Sequence, residues 1–112
     1  MEDHGHYHMV LLIIQKFQLT YYEDWSIHRL SVLTNLSPYH MIRTFKKYTG
    51  KTPYEYLTDI RMENAKKMLI SESLTITNIA QRCGYNTISY FSDKFKKRIG
   101  ISPKAFRKAN MK

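Results

Sequence analysis

A single cysteine, Cys83, occurs in the 112 residues, so no disulfide can form within the chain. A small secreted fold stapled by bridges is thereby excluded, and a lone thiol fits a reducing compartment. Cys83 falls where a short helix should meet its turn, a place suited to a small buried apolar side chain. Glycine occurs four times and proline three times, too rarely for a flexible or collagen-like segment. The apolar run from Met9 to Ile14 is too short to span a bilayer, and no positive segment precedes it as in a secretory leader. A soluble, cytoplasmic chain with no membrane partner is expected. Acids are scarce: 9 Asp and Glu stand against 18 Lys and Arg, a net charge of +9. That balance implies an anionic partner, whether nucleic acid, an anionic surface or an acidic protein. The few acids are scattered, and His28, His40 and Cys83 form no nucleophile–base–orienter set. With no phosphate-cradling glycine loop either, neither an enzyme nor a cofactor is expected.

What is present is a repeat. Phe45–Lys46–Lys47, Gly50, Thr52–Pro53 and Tyr56 recur 50 residues later as Phe95–Lys96–Lys97, Gly100, Ser102–Pro103 and Phe106. Ahead of each copy lies a short apolar-periodic segment, with Ile27, Leu30, Ser31 and Thr34 answered by Ile76, Ile79, Ala80 and Cys83. This earlier offset is 49, so one turn carries one extra residue. A short helix, a tight turn and a basic second helix make a helix-turn-helix, and the chain has two. Charge follows the repeat. From Asp93 onward there is one acid against eight lysines and arginines, and Pro38 to Thr52 holds four basic side chains and no acid. A merely solvated surface would intersperse both signs.

Local signals divide the chain into an irregular start (1–8), a first helix-turn-helix subdomain (9–51), a linker helix (52–71) and a second subdomain (72–112). Alternating His4, His6 and His8 could converge on a metal if extended, but no carboxylate or thiol accompanies them. An unstructured terminus is the favoured reading, with no metal site. Leu12, Ile13 and Phe17 mark a helix from Met9 to about Tyr21. Asp24 or Ser26 should cap the next, with Ile27 and Leu30 inward. Ser37 and Pro38 open a helix to about Tyr48, with Met41, Phe45 and Tyr48 on its buried stripe and Gly50 as its stop. Thr52–Pro53 begins a helix to about Ile70, roughly 27 Å long. Its buried line should be Leu57, Ile60 or Arg61, Ala65, Met68 and Leu69. Thr75 caps Ile76 to Cys83, and Thr87 caps Ile88 to Ile99 with Phe91 and Phe95 inward. Ser102–Pro103 opens the last helix. No segment alternates, so the fold should be all-α with about seven helices.

In each basic helix the N-terminal half is the part that can enter a major groove about 12 Å wide. The first presents Tyr39, His40, Ile42 and Arg43, followed by Lys46 and Lys47. Arg43 suits a bidentate pair with guanine, Tyr39 and Ile42 suit thymine methyls, and the lysines suit phosphates. The second presents Ile88, Ser89, Tyr90, Ser92 and Asp93, with Lys94, Lys96, Lys97 and Arg98 supplying charge behind them. Tyr90 could instead pack in the core or against the turn.

From Trp25 to Arg107 the sequence resembles the DNA-binding domain of the AraC/XylS family of bacterial transcription regulators. The most specific stretch holds Ile79–Ala80, Gly84–Tyr85, Ser89–Tyr90–Phe91–Ser92, Phe95–Lys96–Lys97, Gly100, Ser102–Pro103 and Phe106–Arg107. The first unit matches through Leu30, Ser37–Pro38, Phe45–Lys46–Lys47 and Gly50. The long helix matches through Thr52–Pro53, Glu55–Tyr56–Leu57, Arg61, Ala65 and Leu69. This resemblance implies two recognition helices reading adjacent major-groove segments of double-stranded DNA. The implied base readers are Tyr39, Ile42 and Arg43, then Ile88, Ser89, Tyr90, Ser92 and Asp93. Ile42 and Asp93 depart from the pattern, standing where a polar and a basic residue are common. Asp93 is expected to accept from cytosine N4 at most, or to pair with Lys96 or Lys97. The family role implied is transcription regulation, usually activation, with RNA polymerase as a partner. An effector or dimerisation domain, frequent in the family, is absent from these residues. Two other readings stay open: a weakly specific architectural DNA binder, and a basic protein-interaction module.

Overall fold

The computed structural model describes residues 4–71 and 73–111, with side chains from residue 6 onward. Seven helices and no strand occur among the described residues: α1 (His4–Thr20), α2 (Ile27–Thr34), α3 (Pro38–Thr49), α4 (Pro53–Ile70), α5 (Ile76–Arg82), α6 (Ile88–Ile99) and α7 (Pro103–Ala109).

Helices α2 to α7 all begin by one device. Ser26, Ser37, Thr52, Thr75, Thr87 and Ser102 each accept a hydrogen bond from the backbone N–H three residues on. Each hydroxyl satisfies a donor that the first turn leaves open. At Thr52 the arrangement is reciprocal, because the Glu55 carboxylate accepts from the Thr52 N–H at 2.9 Å. The two basic helices α3 and α6 end alike on glycines in the left-handed region, Gly50 at φ 80° and Gly100 at φ 102°. The extra residue of the second turn is also visible. In the first unit the left-handed residue is Asn35, at φ 60°, with Leu36 alone between it and the Ser37 cap. In the second it is Gly84, at φ 95°, with Tyr85 and Asn86 before Thr87. Tyr85, one residue past Gly84 as Leu36 is one past Asn35, is buried.

The chain forms two compact units, Met1–Thr58 and Asp59–Lys112, and the division falls inside α4. In the first, α3 packs against both α1 and α2. Its core holds Met9, Val10, Ile13, Phe17, Leu30, Met41, Phe45 and Leu57, all buried. Phe45 meets Phe17 at 6.5 Å and the edge of Tyr56 at 5.5 Å. Trp25 closes the corner after α1, donating its indole N–H to the Thr20 carbonyl at 2.9 Å while Arg29 stacks on its face. In the second unit α6 packs against α5 and α7. Phe91 and Phe95 lie at the centre with Met62, Leu69, Ile79, Cys83 and Tyr85. Each buried Phe contributes about 1.5–3 kcal/mol from apolar burial.

Three expectations need correction. Residues 4–8, expected to be irregular, form the first turns of α1. Tertiary contact supports them: His6 lies edge-on to His40, and Tyr7 sits 5.3 Å from Tyr48. Residues 1–3 of that segment lie outside the described residues. Tyr48, placed on the buried stripe, is exposed because its ring covers α1 from outside. Met62, not singled out on α4, is buried at the heart of the second unit.

Candidate nucleic-acid interface

The two basic helices are built to hide one face and show the other. On α3, Met41, Thr44 and Phe45 are buried, while Tyr39, His40, Arg43, Lys46 and Lys47 are exposed. Tyr39 is 72% exposed. The Arg43 guanidinium donates to the Tyr39 hydroxyl at 3.4 Å, one helical turn away, a long contact that orders both tips. An open cavity of about 740 Å³ runs along this face, lined by Tyr39, His40, Arg43, Thr44 and Lys47. Ile42, expected outside, is half-buried. It flanks the buried stripe, so only part of its side chain could meet a partner.

On α6, Phe91 and Phe95 are buried, while Ile88, Ser89, Tyr90, Asp93, Lys96 and Lys97 are exposed. Ser92 is half-buried and so only partly available, contrary to its placement among the exposed readers. Tyr90 combines both readings of its role. It is 49% exposed, yet its ring leans on Tyr85 at 5.6 Å. Lys94 places its ammonium 5.5 Å from the Tyr90 ring centroid, which makes that lysine part of the ring's support. Asp93 sits 3.8 Å from Lys97 in an exposed i,i+4 pair, worth a few tenths of a kcal/mol at most. Arg98, expected to add to the outward charge, instead forms an ion pair with Asp59 on α4. That partner lies 39 residues away in sequence, where no spacing rule could reveal it.

Superposing the repeats residue by residue exposes one inversion. Fifty positions separate Phe45 from Phe95, Lys46 from Lys96 and Lys47 from Lys97, and the same interval takes Arg43 to Asp93. The last turns of both helices are basic, with Lys46 and Lys47 in α3 and Lys96, Lys97 and Arg98 in α6. The aligned peptide dipoles add a positive end at the N-terminus of each helix. The sequence placed His6 only among alternating histidines; in the fold its ring centroid lies 4.7 Å from that of His40. Cys83 is buried, and burial pushes its thiol up to about 12, with the Arg61 charge opposing the rise. It is a packing residue, not a nucleophile.

Two short helix pairs, each closing on a basic helix with an exposed aromatic N-terminal turn, define a double helix-turn-helix DNA-binding domain. A helix-turn-helix domain family matches residues 30–109. The chain belongs to the AraC/XylS family of helix-turn-helix transcription regulators. It is 38% identical over 96 residues to the bifunctional transcriptional activator/DNA repair enzyme AdaA of Bacillus subtilis, covering 86% of this chain and 46% of AdaA. The C-terminal domain of AraT, a response regulator from Geobacillus stearothermophilus, is 36% identical, with a TM-score of 0.89 over 93% of this chain and 87% of that one. The DNA-binding domain of AdpA, solved with a target DNA, shares the fold at 23% identity, with a TM-score of 0.84 over 89% of this chain and 90% of that one. The chain spans 46% of AdaA and smaller shares, 36% and 26%, of two further curated relatives. No helix among the described residues is long and apolar enough to cross a membrane.

Proposed function

We propose that α3 and α6 read two adjacent major-groove segments of one duplex, and that the chain thereby positions a transcription complex. The observation that carries this reading is the shared design of the two helices: a capped, exposed N-terminal turn bearing Tyr39 or Tyr90, followed by a pair of lysines. Arg43 pairs with a guanine edge and Tyr39 packs on a thymine methyl, with His40 beside them and Ile42 contributing its exposed part. Ile88, Ser89 and Tyr90 read the second segment, with Ser92 at its margin. Lys46, Lys47, Lys96 and Lys97 hold phosphates and set affinity and register. Asp93, at the place of Arg43, rejects the guanine that Arg43 accepts and favours cytosine N4. The first helix therefore supplies more base discrimination per residue than the second.

Entry of both helices on one face of the duplex bends it, at a cost of about 1–6 kcal/mol. Transcription activation through contact with RNA polymerase, and an effector or dimerisation domain elsewhere in a longer protein, complete the proposal. The site of action is the cytoplasm. The printed name of AdaA joins activation to DNA repair, but Cys83, the sole thiol here, is buried and held protonated.

The net charge of +9 favours a second reading, a charge-driven binder with little sequence preference. Selection from a random duplex library at about 150 mM salt separates the two. Two enriched blocks about 10 base pairs apart, the first relaxed by Arg43→Ala and the second by Tyr90→Ala, support bipartite reading. The absence of any enriched motif would leave only the charge-driven reading.

A further inference from the structure

Alternating histidines near the N-terminus suggest a metal only if that segment is extended. The segment is helical from His4, so His6 and His8, two residues apart, leave the helix about 160° from each other and cannot share an ion. The fold creates a different pairing. His6, in the first turns of α1, and His40, in the first turn of α3, bring their ring centroids within 4.7 Å at an interplanar angle of 78°. We propose that His6 and His40 form a two-histidine site for a borderline divalent ion such as Zn²⁺ or Ni²⁺, clamping α1 onto the start of α3.

The ring separation suits a shared ion. With a metal–nitrogen bond of about 2.0–2.1 Å, each ring centroid lies about 3.2 Å from the ion. Two rings then stand about 4.5 Å apart at an octahedral right angle and about 5.2 Å apart at the tetrahedral angle. The observed separation falls between those limits without moving either helix. Coordination requires each imidazole to turn about its broad χ2 torsion until a nitrogen faces the shared point.

Both backbones are held firmly enough to keep that spacing. The His40 N–H donates to the Ser37 hydroxyl at 3.2 Å. Tyr7 on Tyr48 and Phe17 on Phe45 tie α1 to α3 further along. Ligands on packed helices are positioned better than ligands on loops. His40 is exposed and His6 half-buried, so water can complete the coordination shell. No cluster of three or more His, Cys, Asp and Glu side chains occurs among the described residues, so two imidazoles are what those residues contribute. Arg43 and Lys47 line the same cavity as His40, and their charge repels a simple cation. Binding must therefore come from coordinate bonds to imidazole nitrogen, which excludes hard ions such as Mg²⁺ and Ca²⁺.

Isothermal titration of the chelator-treated full chain with Zn²⁺ and with Ni²⁺, without DNA, tests the site independently of the DNA reading. One ion per chain is expected, weakened about tenfold or more by His6→Ala and by His40→Ala, because each removes one of two protein ligands. A His4→Ala/His8→Ala double variant should bind as the wild type does, and excess Mg²⁺ should not compete. The ion should also raise the Tm of the wild type but not of His40→Gln, a variant that leaves the buried face of α3 intact. No heat of binding, binding that survives His40→Ala, or binding lost in the double variant overturns the proposal. The last outcome would place the ion on α1 alone.

Discussion

Replacing Arg43 by alanine separates base reading from charge more cleanly than any other change to this chain. The side chain leaves α3 on the face opposite Met41 and Phe45, and among the described residues it donates a long 3.4 Å hydrogen bond to the Tyr39 hydroxyl. Truncation opens no cavity and strands no buried group, so stability should move by less than about 0.5 kcal/mol. Losing a bidentate contact to guanine costs about 1–3 kcal/mol, or about 5- to 150-fold in affinity for the selected site. The loss should be confined to one base pair: with that pair changed, wild type and Arg43→Ala should bind within about twofold of each other. Lys46→Ala provides the contrast. It should weaken binding to every duplex alike and reduce the slope of log affinity against log salt by about 0.9. Fluorescence anisotropy with four duplexes that differ only at the candidate pair, each over a range of salt, measures all of these quantities. If Arg43→Ala weakened all four duplexes equally, Arg43 would be a phosphate contact and the assignment of α3 as the main base reader would fail.

Three other outcomes follow from the packing and the caps. Ser37→Ala and Thr87→Ala should each cost about 1 kcal/mol in urea unfolding, since each removes the hydroxyl that satisfies a first-turn N–H of a recognition helix; no loss at either would show that solvent serves equally well there. Phe45→Ala and Phe95→Ala should each cost about 3–5 kcal/mol, because both rings are fully buried between helices, and a loss below about 1 kcal/mol in a melt would mean the core relaxes around the gap. Cys83 links stability to alkaline pH: its ordinary value is 9.0 and burial raises it to about 12 in the folded chain, so the folded state holds the proton more tightly. Stability from this group is therefore intact below about pH 9 and declines by up to about 1.4 kcal/mol per pH unit as pH rises toward the folded value. Urea midpoints at pH 8 and at pH 10.5 should fall further apart for the wild type than for Cys83→Ala, and identical differences would refute the linkage.

Interactions confined to one turn of helix can be counted along the chain. Ser37, Thr75, Thr87 and Ser102 were legible as caps because each bonds an N–H three residues away, and that offset can be counted along a sequence. Gly50 and Gly100 were legible as stops, since a left-handed C-terminal residue is cheapest as glycine. Phe45, Phe91 and Phe95 were legible as core because they recur on the inner stripe of an amphipathic helix. Even the one-residue difference between the two turns could be counted, although not that Tyr85 in the second turn would be buried. The tertiary structure alone decided what depends on partners far along the chain. Packing of Tyr7 on Tyr48 and His6 on His40 accompanies the extension of α1 back to His4, past an early glycine in the sequence. Asp59 draws Arg98 away from the outward charge of α6, and Tyr85 props Tyr90 at the edge of the core. A side chain in the boundary zone of a helix, such as Ile42, Ser92 or Tyr48, is covered only as far as a neighbouring helix reaches it. Helix periodicity states the direction in which a residue points; only the packed neighbour determines whether water or protein is there.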